Sequence, residues 1–304
     1  MADGSRHSLH YIVEVVYGTC PATPAFKPIR HRGVSGGLTK DTFQSETLRS
    51  DRQIEDLRHG ARKVAFDIPI EWSYTSFDDL LEATLCGTWS ANVLKAGTTR
   101  RSYAIESHFA DVATGGYHLF EGCVFNKAQF QIDANAMVTG SFGVVGQDNT
   151  VGDAATGGAS YADPATTSPF DAFTGTIDEG GSPIATVTAI SLDLDNGVEP
   201  RFVVGSDLTL LPSIGRSTLT GQVTAYFENS TLLNKFINET ESSIEVELED
   251  VAGNTLTILL PRIKYTGGPV NVGGFGPLTV ALPFQALYEA YTNDSNIVIT
   301  RAAA

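Results

Sequence analysis

Gly33-Val-Ser35-Gly-Gly37 has the spacing of a nucleophile elbow, G-x-S-x-G, in which a serine would attack an acyl carbon. That chemistry needs a strand ending at the serine and a helix beginning directly after it, so that the hydroxyl stands clear beside oxyanion donors. The residues that follow, Leu38-Thr-Lys-Asp-Thr-Phe43, lead into a polar stretch, and no glycine run suited to an oxyanion pocket accompanies them. A strand or bend twisted by its glycines explains the same residues. Ser35 is the single nucleophile candidate, and it supports a serine hydrolase only if that elbow exists.

The other chemical signals are weaker. Gly273-Gly-Phe-Gly276 lacks the helix and lysine of a phosphate cradle and reads as a hairpin turn. Asp193-Leu-Asp195-Asn-Gly197 starts like a calcium loop but has neither the spaced acids nor the closing glutamate. The six histidines, His7, His10, His31, His59, His108 and His118, form no i,i+4 pair beside a glutamate. Asp78-Asp79 falls in the first turn of an expected helix, where the helix dipole explains it. The reading is a protein with no catalytic residue, no cofactor and no metal.

More is carried by charges in rows. Glu245, Glu247 and Glu249 alternate with Ile244, Val246 and Leu248, so one face of a strand is apolar and the other is a line of like charges. Asp67 and Glu71 do the same beside Ile68 and Ile70. Either this is an ordinary solvated face, or these acids line a channel for something anionic that must slide without sticking. Basic residues crowd elsewhere: Arg30, Arg32, Lys40, Arg49, Arg52, Arg58, Arg62 and Lys63 lie in or beside the polar stretch Thr39 to Arg62. A connection of that length is a solvated loop or an arm reaching an acidic neighbour.

The elements that must hold these residues are mostly strands. Val64, Phe66, Ile68, Ile70, Trp72 and Tyr74 alternate with small or polar partners, which predicts one long half-buried strand. Thr75-Ser76 and Asp79 predict a helix start, Phe77 to Leu85 an apolar stripe, and Gly87 the C-cap. Strands are expected at Leu9–Tyr17, Tyr103–Phe109, Phe125–Ile132 and Val138–Val145. After a stretch rich in Gly, Ala, Ser, Thr, Asp and Pro, the pattern returns. Ile184–Leu194, a turn at Asp195-Asn196-Gly197 and a return strand Arg201–Leu208 precede Leu219–Phe227, the counterpart of the long strand. Asn229-Ser230-Thr231 then caps a second short helix, followed by strands at Ile244–Leu248, Leu256–Tyr265, Leu278–Tyr288 and Ile297–Thr300. The division this implies is 1–150, a connection 151–182, and 183–304, with an extended polar arm at 38–62.

Composition agrees with a mainly β protein: thirty glycines and thirteen prolines disfavour a helical class. With 20 Lys+Arg against 35 Asp+Glu the net charge is −15, which argues against nucleic acid as a bound partner. Three dispersed cysteines, Cys20, Cys86 and Cys123, suggest reduced thiols. The first residues do not read as a signal peptide and no stretch is long enough to span a bilayer, so synthesis in a cytosol without membrane insertion is expected.

Four segments carry a resemblance. LRSDRQIEDLRHGARKVAFDIPIEWSYTSFDDLLEATLCGTW (Leu48–Trp89), GRSTLTGQVTAYFENSTLLNKFINE (Gly215–Glu239), LPRIKYTGGPV (Leu260–Val270) and LPFQALYEAYTNDSNIVITRA (Leu282–Ala302) are similar to the major tail (tail tube) proteins of bacteriophages with long, non-contractile tails. The resemblance implies tandem tail-tube-like β-sandwich or barrel domains, each with a short flanking helix. It implies stacked rings forming a conduit for the genome, with DNA as passing cargo. It also implies tail terminator, tape measure and distal tail proteins as partners, and a virion made in bacterial cytoplasm. The arm would reach the adjacent ring through Lys40, Arg49, Asp51, Arg52, Glu55, Arg58 and Arg62. Asp67, Glu71, Glu245, Glu247 and Glu249 are the candidate lumen acids. Six tube-like domains per ring would mean three chains, or six chains if only one half builds the tube. The alternatives are a β-sandwich adhesin, a capsid or tail decoration protein, and the Ser35 hydrolase.

Overall fold

Period-two alternation sets most of the strands. The computed structural model describes residues 3–271 and 274–304. The chain forms β1 (His7–Val13), β2 (Ala25–Pro28), β3 (Ser35–Gln44) and β4 (Leu57–Glu71), then helix α1 (Asp78–Leu85). It continues with β5 (Val93–Lys95), β6 (Tyr103–Phe109), β7 (Tyr117–Asp133), β8 (Thr139–Gly146), β9 (Asp148–Gly152) and β10 (Ser160–Tyr161). Next come β11 (Thr176–Glu179), β12 (Ser182–Pro183), β13 (Val187–Asp195), β14 (Glu199–Arg201), β15 (Leu210–Ser213) and β16 (Thr218–Tyr226), then helix α2 (Thr231–Ile237). The chain ends with β17 (Ser242–Glu249), β18 (Thr255–Tyr265), β19 (Val270–Asn271), β20 (Thr279–Ala286) and β21 (Val298–Ala302).

The fold is mainly β, and its pairing order occurs twice. In the first half β1 pairs β6, β6 pairs β7, β7 pairs β9 and β8, β8 pairs β4, and β4 pairs β3. In the second, β11 pairs β17, β17 pairs β18, β18 pairs β21 and β20, β20 pairs β16, and β16 pairs β13. Every one of these pairs is antiparallel, and α1 and α2 sit at the same point of the order. In each half one long strand, β7 or β18, belongs to two sheets that face each other across a core. The halves meet where β13 pairs with the C-terminal part of β7 over seven residues, and again where β5 pairs β21.

Burial follows the alternation. Val64, Phe66, Ile68 and Ile70 of β4 are buried, as are Ile190, Leu192 and Leu194 of β13 and Val280, Leu282 and Phe284 of β20. Trp72, just past β4, stacks on Phe130 with ring centroids 3.9 Å apart and meets Phe77 and Phe142 edge-on. Gly140 makes this stack possible: a Cβ there would come within 2.2 Å of the indole Nε1.

Several expected features differ. The left-handed C-cap of α1 is Cys86, at φ 50°, and Gly87 follows it, donating its N–H to the Glu82 carbonyl. The N-cap is Phe77, without a side-chain hydrogen bond, so the Thr75-Ser76 hydroxyls do not cap the helix. The return strand expected at Arg201–Leu208 is absent: β13 pairs with β16, and the intervening residues form the small separate hairpin β14–β15. Thr39–Arg62 is not one long loop, because β3 and β4 both run through it and leave only 45–56 between them. The connection 151–182 contains β10, which pairs β2, and β11, which pairs β17. It packs on the first half through fully buried Phe170 and through Thr156 and Tyr161, whose side chains bond the buried Glu106 carboxylate.

One edge of this fold responds to acid. His7 Nδ1 lies 2.8 Å from His31 Nε2, and His7 Nε2 lies 2.7 Å from Ser107 Oγ. Burial, helped by His31, His108, His10 and His118, pushes the His7 pKa from 6.5 down to about 4. Below 6.5 the unfolded chain takes up that proton before the folded one does, so stability falls as pH drops from 6.5 toward 4. A urea midpoint declining across that window, with a shallower decline in His7→Asn, is the expected result.

Candidate functional site

The sheet shared by the two halves has one face on the core and one turned away from it. On the second face the register lines up side chains in rungs across β4, β8, β7, β13, β16 and β20. One rung reads Asp67, Gly143, Lys127, Asp195, Thr218. The next reads Pro69, Ser141, Gln129, Asp193, Thr220, Gln285. A third reads Glu71, Thr139, Gln131, Ser191, Gln222, Pro283, and a fourth begins at Asp133 with Ala189, Thr224 and Ala281. This face is small and polar, and a hollow of about 580 Å³ opens on it between Asp67, Lys127, Asp193, Asp195 and Thr220.

Its charge is unbalanced: Asp67, Glu71, Asp133, Asp193 and Asp195 stand in these rungs with Lys127 as their one cation, and Arg216 joins it at the hollow. Lys127 Nζ lies 2.9 Å from Asp195. Burial opposes ionisation of Asp195, yet the Gly197 N–H and the Lys127 ammonium hold its carboxyl below the usual range. The same ion pair raises the Lys127 pKa. Glu71 lies 3.7 Å from Arg32, which leaves Asp67, Asp133 and Asp193 without an ion pair among the described residues, and these keep the field on this face negative.

Asp67 and Glu71 are therefore on this face, but the other expected acids are not. Glu245, Glu247 and Glu249 lie on β17, whose neighbours are β18 and β11; it has no place in the run from β4 to β20. Their side chains point out from the opposite sheet of the second sandwich, because β17 occupies the place that β6 has in the first. Asp133, Asp193 and Asp195 carry the charge instead. Alternation with Leu192 and Leu194 could have found the last two, but reading Asp195-Asn-Gly197 as a hairpin turn removed Asp195 from the strand. Lys127 gave no signal beyond its place in an alternating strand.

The polar arm is a β-hairpin extension of this sheet. Arg49 bonds Asp51 at 2.8 and 3.0 Å and lies 3.7 Å from Glu55, so these three share the loop at its tip. Arg52 takes a left-handed φ of 61° in the same loop. Lys40 and Arg62 are cross-strand partners. The repulsion this would cause is relieved because Arg62 turns to Asp148 at 2.7 Å and Asp207 at 2.9 Å. Lys40, Arg52 and Arg58 make no ion pair among the described residues. Phe43, Leu48, Ile54 and Leu57 are exposed along the hairpin, so it presents apolar as well as charged groups to whatever it meets.

Ser35 lacks an elbow. It opens β3, which runs on as a strand with Ser35 opposite Asp67, and no histidine bonds it among the described residues. Asp193 and Asp195 point off a regular strand and cannot wrap an ion as a calcium loop does. Of the glycine loop Gly273–Gly276, Gly273 lies outside the described residues. Among the described residues, no helix is long and apolar enough to cross a membrane.

A family model described as phage tail tube protein matches residues 4–286. No curated protein matches the chain.

Proposed function

The chain belongs to the phage tail tube protein family, structural proteins of the virion tail that self-assemble into a tube, and from that premise we propose that three chains close into each ring. The observation that carries this reading is the join between β7 and β13. It fuses the sheet of one half to the sheet of the other, edge to edge, within a single polypeptide. In the repeated pairing order β7 corresponds to β18 and β13 to β3. The equivalent join between chains would set the edge that continues from β18 through β19 against β3 of the next chain. β3 has β4 as its one partner among the described residues, so its outer edge is free to pair. Exposed strand edges invite pairing with another chain, and a closed barrel removes them.

Two modules per chain then give six around the ring. The first takes residues 1–150 and the second 183–304, with β11 from the connection completing the second sheet. The polar face becomes the inner wall, a conduit lined by Asp67, Glu71, Asp133, Asp193 and Asp195 through which the genome passes. The β3–β4 arm reaches the adjacent ring through Lys40, Arg52 and Arg58, with Arg49, Asp51 and Glu55 shaping its tip and Arg62 its root. Tail terminator, tape measure and distal tail proteins would contact the tube at its ends and in its bore, after synthesis in host cytoplasm.

Imaging assembled tubes with the symmetry determined tests the ring. Three chains around the bore, with β3 beside the β18–β19 edge of the neighbour, is expected. Six chains around it would overturn the three-chain ring and leave one module of each chain outside the wall.

A further inference from the structure

The first module inserts its arm between β3 and β4, and the corresponding place in the second module lies between β13 and β16. That place is occupied by residues 196–217, which form the β14–β15 hairpin. The hairpin belongs to neither large sheet. It is tied to the root of the first arm: the Arg62 N–H donates to the Asp207 carbonyl at 2.8 Å, its guanidinium bonds the Asp207 carboxylate, and Gln147 Nε2 donates to the Thr209 carbonyl at 2.7 Å. Thr209, nearly fully buried, accepts from the Arg201 N–H and fixes the turn. The tip is the reverse of what a solvent-facing turn needs, since Phe202, Val203 and Val204 are all exposed, Val204 completely. Lys63 Nζ lies 5.9 Å from the centroid of the Phe202 ring, but among the described residues nothing covers Val204, and Val203 beside it is half exposed on a braced hairpin.

The far end of the same two strands offers a seat. β13 and β16 end at the Val187–Ala225 pair, and there a hollow of about 320 Å³ is lined by Pro183, Ile184, Tyr226, Phe227 and Leu232. Exposed Glu228 stands at that hollow and exposed Arg201 at the hairpin; neither makes an ion pair among the described residues. In a barrel wall the two ends of a strand lie at opposite rims. Knob and hollow on opposite rims make a head-to-tail contact that repeats without closing.

We propose that the β14–β15 hairpin is a second stacking arm, and that its Phe202-Val203-Val204 tip seats in the Pro183–Tyr226 hollow of a second copy in the adjoining ring. This rests on the tube reading above. Each chain then contacts its axial neighbour through both modules, and Arg62 couples the two arms.

Phe202→Ser combined with Val204→Asp tests the tip. Val204 is wholly exposed and Phe202 partly so, under Lys63, so the melting temperature of the unassembled chain should change little. The protein concentration needed for tube growth should rise roughly tenfold or more, as for loss of an interface anchor. In a Cys20→Ser background, Val204→Cys with Thr186→Cys should give, on oxidation of assembled tubes, an open ladder of linked chains. Growth of the double variant at the wild-type concentration, or cross-links that stop at closed rings, would overturn the second arm and leave the tube intact. If the wild-type chain forms no tubes at high concentration, the tube reading falls and this inference with it.

Discussion

Trp72→Ala should unfold the first sandwich and abolish tube formation. The indole is almost wholly buried, lies flat on Phe130, meets Phe77 and Phe142 at their edges, and donates Nε1–H to the Gln129 carbonyl at 3.3 Å. It therefore joins α1 to β7 and β8 from inside the core. Removing a buried tryptophan costs about 3–5 kcal/mol, against a total stability of about 5–15 kcal/mol for a domain. The loss falls on the half that supplies β7, so the β7–β13 join should loosen with it. Chemical denaturation followed by far-ultraviolet circular dichroism should show a lower midpoint or a separate early transition. Trp89→Ala is the contrast: that ring is partly exposed, packs under Arg301 with its cation 4.4 Å from the ring centroid, and should cost much less. Equal losses at the two positions would mean that the stack around Trp72 does not hold the module together.

That core was legible because it is written in strict alternation. Val64 to Trp72 has no slip in register, and the change of period at Asp78 marks the helix even though the capping residues differ. The counterparts recognised from the sequence, the strand at Leu219 and the helix after Asn229, stand in the same places of the repeated pairing order. What could not be read was which strands meet. The glutamates of β17 and the aspartates of β13 have the same local signature, an acid at every second residue beside aliphatics. Only the long-range pairing of β17 with β11 and of β13 with β7 assigns them to different sheets.

The hairpin expected at Asp195-Asn196-Gly197 does not form, for a related reason. A sequence that favours a tight turn does not specify that the following strand pairs back. Here Gly197 takes φ 56° as a turn should, but the Asn196 side chain donates to the Thr84 carbonyl and the chain is drawn toward α1. The β14–β15 hairpin was hidden because its strands are three and four residues long, too short for alternation to register.

In the proposed ring, reversing charge on the polar face should turn the bore into one that holds DNA. Asp67 and Asp193 are both exposed, both in the rungs, and without an ion-pair partner among the described residues. Replacing both by lysine takes the rungs from five carboxylates and one ammonium, a net −4, to three of each. The side chains point off the sheet, so folding and tube growth should be unaffected. Within a narrow wall, positive groups at close spacing would bind phosphates with the steep salt dependence of counterion release. A short labelled duplex mixed with variant tubes at low salt should therefore show at least a tenfold gain in the fraction protected from nuclease, falling as salt rises. Wild-type tubes should protect none. Glu245→Lys with Glu247→Lys adds the same charge to β17, on the opposite sheet; DNA drawn there would lie on the outside and remain open to nuclease. Protection by the β17 pair and not by the Asp67 and Asp193 pair would put the wrong sheet at the bore. The ring would then have to be rebuilt with β17 facing inward, an arrangement in which the β7–β13 join could not line the channel.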